Sequence, residues 1–155
     1  MNVDLLHTNV TKFSLKEKPW TPLMAAVENN QKEVVEYLLN QNVLTEMAPF
    51  TPSALHIAAY RNHIECIRLI LQHKLRIGDP NIDHLDDSRV RETPLHVTAR
   101  HCCFESSRLL LQFGANPKAV NGLGETPLHI ACQEKCHLTV GLLLDNKFLV
   151  SHIFI

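Results

Sequence analysis

The stretch ETPLHVTARHCCFESSRLLLQFGANPKAVNGLGETPLHIAC, residues 92–132, states one phrase twice. Thr93-Pro94-Leu95-His96 returns as Thr126-Pro127-Leu128-His129. Two degraded copies precede it, Thr21-Pro22-Leu23-Met24 and Ser53-Ala54-Leu55-His56. The anchoring leucines Leu23, Leu55, Leu95 and Leu128 stand 32, 40 and 33 residues apart. A period near that length belongs to a stack of small units rather than to a closed globule with one pocket. Stacked units present extended surfaces.

Each unit reads as two helices and a turn. Thr126 can cap a helix with its hydroxyl, and Pro127 suits the first helical position, where its missing N–H is not needed. Leu128, Ile130 and Ala131 mark the buried side of a short first helix, and a break follows around Lys135. The second helix runs through Leu138, Val140, Leu142, Leu143 and Leu144. The same frame places Leu38-Leu39, Ile70-Leu71, Leu110-Leu111 and Leu143-Leu144 in equivalent slots. Three residues after each anchor come Ala26, Ala58, Thr98 and Ala131, small residues that let helices approach. Gly114 and Pro117 stop the second helix of the third unit, and Asn42 holds the glycine slot in the first.

On these residues the chain resembles ankyrin-repeat proteins, over roughly residues 20–147. The resemblance implies an all-α solenoid of helix-turn-helix units with short β-turns projecting between repeats. The expected boundaries are 1–18 for a partial preceding repeat and turn, 19–147 for four repeats (about 19–50, 51–90, 91–123 and 124–147), and 148–155 for an apolar tail. Leu5, Leu6 and Asn9 repeat the register of Leu38, Leu39 and Asn42, so the chain is expected to begin inside a repeat. The tail Phe148–Ile155 lacks the polar face of a terminal repeat, which suggests a fragment, or a tail that folds back or docks.

The step of 40 between Leu55 and Leu95 carries about seven extra residues within Lys74–Arg91. Their polar, turn-rich make-up suits an enlarged loop, either a tolerated insertion or a partner-specific finger.

Bulk properties narrow the function. The chain has 155 residues, 20% charged and 45% apolar, with a formal net charge of −1. Nothing there favours nucleic acid or a membrane surface. There is no apolar run approaching the ~20 residues a membrane-crossing helix needs, and Met1–Leu6 is not a signal sequence. Cys66, Cys102, Cys103, Cys132 and Cys136 are an odd set without a framework spacing, which favours a reducing compartment with free thiols. A cytoplasmic location, or a nuclear one, is expected, with a monomeric chain.

Chemistry finds little support. His56, His96 and His129 recur at the repeat period with no partnering nucleophile. In ankyrin repeats such histidines bond across the turns. The run His101-Cys102-Cys103 and Cys132 to His137 offers metal ligands, but a second matched pair is missing, so no metal and no cofactor are expected. Gly122-Leu123-Gly124 is too short for a phosphate loop. An enzyme is not expected.

The resemblance places partner contacts on turn tips and the exposed side of each first helix. By register these are Trp20, Glu28, Asn29, Phe50, Tyr60, Arg61, Arg89, Arg91, Glu92, Arg100, His101, Leu123, Glu125, Gln133 and Glu134. Arginines crowd the middle and acids the C-terminal end. The expected partner is therefore another protein, offering an acidic or phosphorylated segment, with Trp20 or Tyr60 as apolar anchor. Narrower alternatives are an inhibitor of NF-κB, though no Asp-Ser-Gly-x-x-Ser degron is present, and a substrate-recruiting subunit of a ubiquitin ligase. The ankyrin portion of a larger kinase, channel or scaffold is a third.

Overall fold

A computed structural model describes residues 20–41, 53–79, 81–86 and 88–145. Its described residues form eight helices and no strand: α1 (Pro22–Glu28), α2 (Lys32–Asn40), α3 (Ala54–Arg61), α4 (Ile64–Ile77), α5 (Pro94–Arg100), α6 (Phe104–Gln112), α7 (Pro127–Gln133) and α8 (His137–Leu144). Phe50, the segment before residue 20 and the C-terminal tail lie outside the described residues.

The first helices start where the sequence places them. Thr21, Ser53, Thr93 and Thr126 are N-caps whose side chains accept the backbone N–H three residues on. In the last three units the N3 residue is histidine, and its Nδ1 accepts the cap residue's own backbone N–H. This is a reciprocal capping box built with an imidazole instead of a carboxylate. Turns of two or three residues return the chain into the second helix.

Packing follows the two rows. α1, α3, α5 and α7 touch in succession, as do α2, α4, α6 and α8, and each pair closes on itself. The core runs between the rows through Leu23, Leu55, Leu95, Ile67, Ile70, Leu71 and Leu110. Each fully buried aliphatic side chain contributes roughly 1.5–3 kcal/mol. Ala26, Ala58 and Ala131 are buried at the close approach. Thr98 fits there because its hydroxyl donates to the Leu95 carbonyl at 3.0 Å and accepts from Ser107 at 2.9 Å.

The turn between the two helices of each unit has one fixed slot, held by Asn30, Asn62, Cys102 and Lys135, all with φ between 54° and 60°. The turns between the later units are β-turns. Arg91 N–H donates to Ser88 O at 3.1 Å, and Gly124 N–H to Asn121 O at 3.0 Å. The tips touch: Gly122 N–H donates to Val90 O at 2.5 Å, and a Cβ on Gly122 would lie 2.9 Å from that oxygen.

The insertion corrects the loop expectation. Gly78 follows Leu71 by seven positions where Gly114 follows Leu111 by three, so most of the extra length is one further turn of α4. That turn stops like its neighbour. Gly78 is left-handed at φ 72°, and Asp79 N–H donates to Lys74 O, as Ala115 N–H does to Leu110 O. Lys74 thus stands where the third repeat has Leu110. It is buried, and its ammonium meets Asp79 at 2.7 Å. Beyond it Ile82 returns to the core, and the Asp83 carboxylate accepts the Asn116 N–H at 3.0 Å. The insertion is therefore an extra turn plus a strap fastened to the following repeat.

Candidate partner-binding groove

Along the first-helix row, beneath the turn tips, lies a groove of about 440 Å³. Its helical wall is Tyr60 from α3, Val97 and Arg100 from α5, His101 after α5, and Gln133 from α7. Its turn wall is Asp86, Ser88 and Val90 from one tip and Leu123 and Glu125 from the next. Two acceptors hold these tips in matching form. Asp86 accepts from Ser88 N–H, Ser88 O–H and Glu92 N–H, at 3.2, 2.7 and 2.8 Å. Asn121 Oδ1 accepts from Leu123 N–H and Glu125 N–H, both at 2.9 Å.

The histidines fasten tips to helices. Because Nδ1 accepts the cap N–H, the ring proton sits on Nε2. His56 Nε2 then donates to Glu92 O and His96 Nε2 to Glu125 O, each at 2.9 Å, reaching one repeat forward. Burial pushes the His96 imidazole below its ordinary value.

Several expected contact residues converge here: Tyr60, Glu92, Arg100, His101, Leu123, Glu125 and Gln133. Tyr60 meets the His101 ring edge-on at 4.9 Å, and Arg61 lies 5.6 Å over the Tyr60 ring. Leu123 is 68% exposed at the rim.

The arginines are placed differently from the expectation. Arg61 is ion-paired with Glu28, and Arg100 with Glu92. The Arg100 guanidinium also lies 3.7 Å from Glu134. The Glu92 hydrogen bond raises Arg100 above its usual range, and the Glu28 bond does the same for Arg61. Glu92 is buried at 8% exposure, so it is a tether inside the wall rather than an exposed contact. Hydrogen bonds from Gln133 and Asn121 hold Glu125 below its ordinary value. The groove lining carries Asp86, Glu92 and Glu125 against Arg100, which reverses the sign of charge anticipated for the middle of the array.

The remaining expected residues among those described lie off the groove lining. Arg89 and Arg91 are exposed on the Ser88–Arg91 turn, and Arg91 sits at φ 53°. Asn29 is exposed, donating to Ala25 O at 2.9 Å. Trp20 packs against the core, and its buried Nε1 has no hydrogen-bond partner among the described residues. Asp86, Ser88, Ile57 and Val97 line the groove without having been anticipated. Asp86 and Ser88 fall inside the insertion, where counting by register breaks. A turn signal of Asp two residues before Ser could have pointed to them.

A family model described as ankyrin repeats (3 copies) matches residues 2–83 and 74–152. The chain belongs to the ankyrin-repeat family. Ankyrin repeats are generally protein-interaction modules and are typically non-enzymatic. Among curated proteins the array is similar to the mouse B-cell lymphoma 3 protein homolog, 33% identical over 59% of this chain and 20% of that protein. It is also similar to human ankyrin repeat and SOCS box protein 11, 30% identical over 72% of this chain and 32% of the relative. Human diacylglycerol kinase iota is 28% identical over 84% of this chain and 12% of its own length. The ankyrin array thus spans a third or less of these relatives. No described helix is long and apolar enough to cross a membrane, and the described residues contain no metal-holding group of His, Cys, Asp and Glu.

One expectation about this array is overturned. The thiols are not all free: Cys102 and Cys136 form a disulfide between the third and fourth repeats, with Cα atoms 5.2 Å apart. Cys66, Cys103 and Cys132 are free. Lys135, not Cys136, holds in the fourth repeat the left-handed slot that Cys102 holds in the third. Diagonal neighbours across the stack, one slot apart, are what the turns bring together.

Proposed function

We propose that this array is a non-enzymatic adaptor that holds a segment of another protein in the groove between turn tips and first helices. The observation that carries the reading is the groove itself: a half-buried aromatic, Tyr60, and an exposed leucine, Leu123, around a polar floor whose charges are already tied down. An accessible aromatic and leucine beside neutralised polar groups suit a protein interface. The acidic or phosphorylated segment expected from sequence loses its main support, because Arg61 and Arg100 are already paired. With the charges engaged, the lining favours a segment that brings an apolar side chain to Leu123 and Tyr60.

Photo-crosslinking tests the reading. A photoreactive side chain replacing His101 or Leu123 is expected to capture the same cellular protein. The same group replacing Glu105, exposed on α6, is expected to miss it. Equal capture from all three positions would remove the groove from the account. The likeness to an ankyrin repeat and SOCS box protein supports substrate recruitment by a ubiquitin ligase as a second role. The likeness to the B-cell lymphoma 3 protein homolog is the corresponding support for a transcription-factor regulator.

A further inference from the structure

The left-handed slot after each first helix reaches into the next repeat at three successive junctions, and the third reach is covalent. At the first junction Asn30 Oδ1 lies 3.5 Å from Cys66 Sγ. At the second, Asn62 Oδ1 accepts from Ser106 O–H at 2.6 Å. At the third the slot holds Cys102, joined to Cys136. A φ of 54° suits Asn and Gly and is disfavoured for a cysteine. Cysteine replaces asparagine there at a conformational cost, and the next repeat supplies the matching thiol.

We propose that Cys102 and Cys136 are a reversible thiol–disulfide site that responds to small thiols and disulfides and sets how firmly the fourth repeat is held to the third. The two sulfurs differ in role. Cys102 is exposed and Cys136 is buried. An incoming small thiolate attacks Cys102 Sγ, forming a mixed disulfide. The Cys102–Cys136 bond breaks, and its electron pair leaves on Cys136 Sγ, which then takes a proton from solvent. Cys136 is the N-cap residue of α8, held at a fixed place against the third repeat. A second small thiolate attacks the outer sulfur of the mixed disulfide and releases Cys102. In total, two small thiols become one small disulfide and the protein cystine becomes two cysteines. A glutathione-type disulfide drives the reverse. The reduced state is also provided for: Cys136 Sγ lies 3.4 Å from the Ala99 carbonyl and Cys102 Sγ 3.9 Å from the Glu134 carbonyl, so both thiols have an acceptor across the junction. Cys102 directly follows the groove residue His101 in the chain.

The test equilibrates the full chain with millimolar glutathione at varied ratios of reduced to oxidised form. Samples are then quenched in acid, denatured, alkylated and mapped by peptide mass. The expected result is a reversible two-electron transition in which Cys102 and Cys136 convert together while Cys66, Cys103 and Cys132 stay alkylatable. The oxidised protein should melt roughly 10 °C above the reduced one. Cys102→Asn restores the residue of the other junctions; it should fold, melt near the reduced protein and lose its dependence on glutathione. Failure of oxidised glutathione to form the bond, pairing through Cys103 or Cys132, a bond that millimolar reduced glutathione leaves intact, or equal melting of both forms would each overturn the proposal. A Cys102→Asn protein that still shifts with glutathione would do so too.

Discussion

The His96 ring binds two backbone groups, and its own backbone N–H a third partner, the Thr93 hydroxyl. Its Nδ1 accepts from Thr93 N–H, its Nε2 donates to Glu125 O, and its own N–H reaches Thr93 Oγ1. The ring is fully buried. His96→Ala leaves the buried cap N–H without its imidazole partner and the Glu125 carbonyl with the Asn121 N–H alone, so a loss of about 1–3 kcal/mol is expected in urea unfolding. The pH dependence has a definite sign. The folded imidazole titrates below its ordinary value of 6.5, so the unfolded chain takes up the proton first. Stability should therefore fall as pH drops through 6.5 and level off below the folded value. His96→Gln should show a shallower slope over that window; an unchanged slope would assign it to other groups. The recurrence of His56, His96 and His129 and their structural role were legible in the sequence. The pairing of Arg100 with Glu92 was not. The two lie eight residues apart on a turn and a helix end, and neither strand nor helix periodicity brings such positions together.

α4 has 14 residues where α2 and α6 have nine and α8 has eight. Its last turn buries Lys74, with only 3% of the side chain exposed, against Asp79. Removing Asp79 takes from a buried ammonium the carboxylate that lies 2.7 Å from it. Asp79→Ala is therefore expected to cost about 1–3 kcal/mol, whereas Lys74→Met, an apolar side chain of similar length, should stay within about 1 kcal/mol of wild type. Thermal melts of both variants check this; the opposite ranking would contradict a buried ion pair. The existence, order and type of every described helix could be read from the anchor leucines and caps. The extra turn could not, because its burial inverts its letters: Leu75 and Ile77 are exposed while Lys74 is buried, against an Asp79 that the chain supplies only after turning back.

At the scale of the array, the apolar core is continuous through three repeats and thins at the fourth. Ile130, Ala131 and Cys136 form a small cluster with Ala99, apart from the main one, and Leu142 and Leu143 supply the remaining contact. Stability in such a stack is a sum over units and junctions. Under reducing conditions Ile130→Ala should detach α7 and α8 in a separate early transition, visible as amide exchange confined to residues 127–144. Leu95→Ala should lower the whole transition by about 3–5 kcal/mol. A single cooperative step shifted equally in both variants would contradict this division. The sequence alone determined the solenoid: a repeat of capping residue, proline, leucine and small residue dictates short helices that can bury their apolar sides only against copies of themselves. Tertiary structure decided the rest. Which arginines are neutralised, which cysteines meet, and where seven inserted residues go depend on distances between neighbouring repeats, and register in one dimension does not carry the diagonal offset of a stack in three.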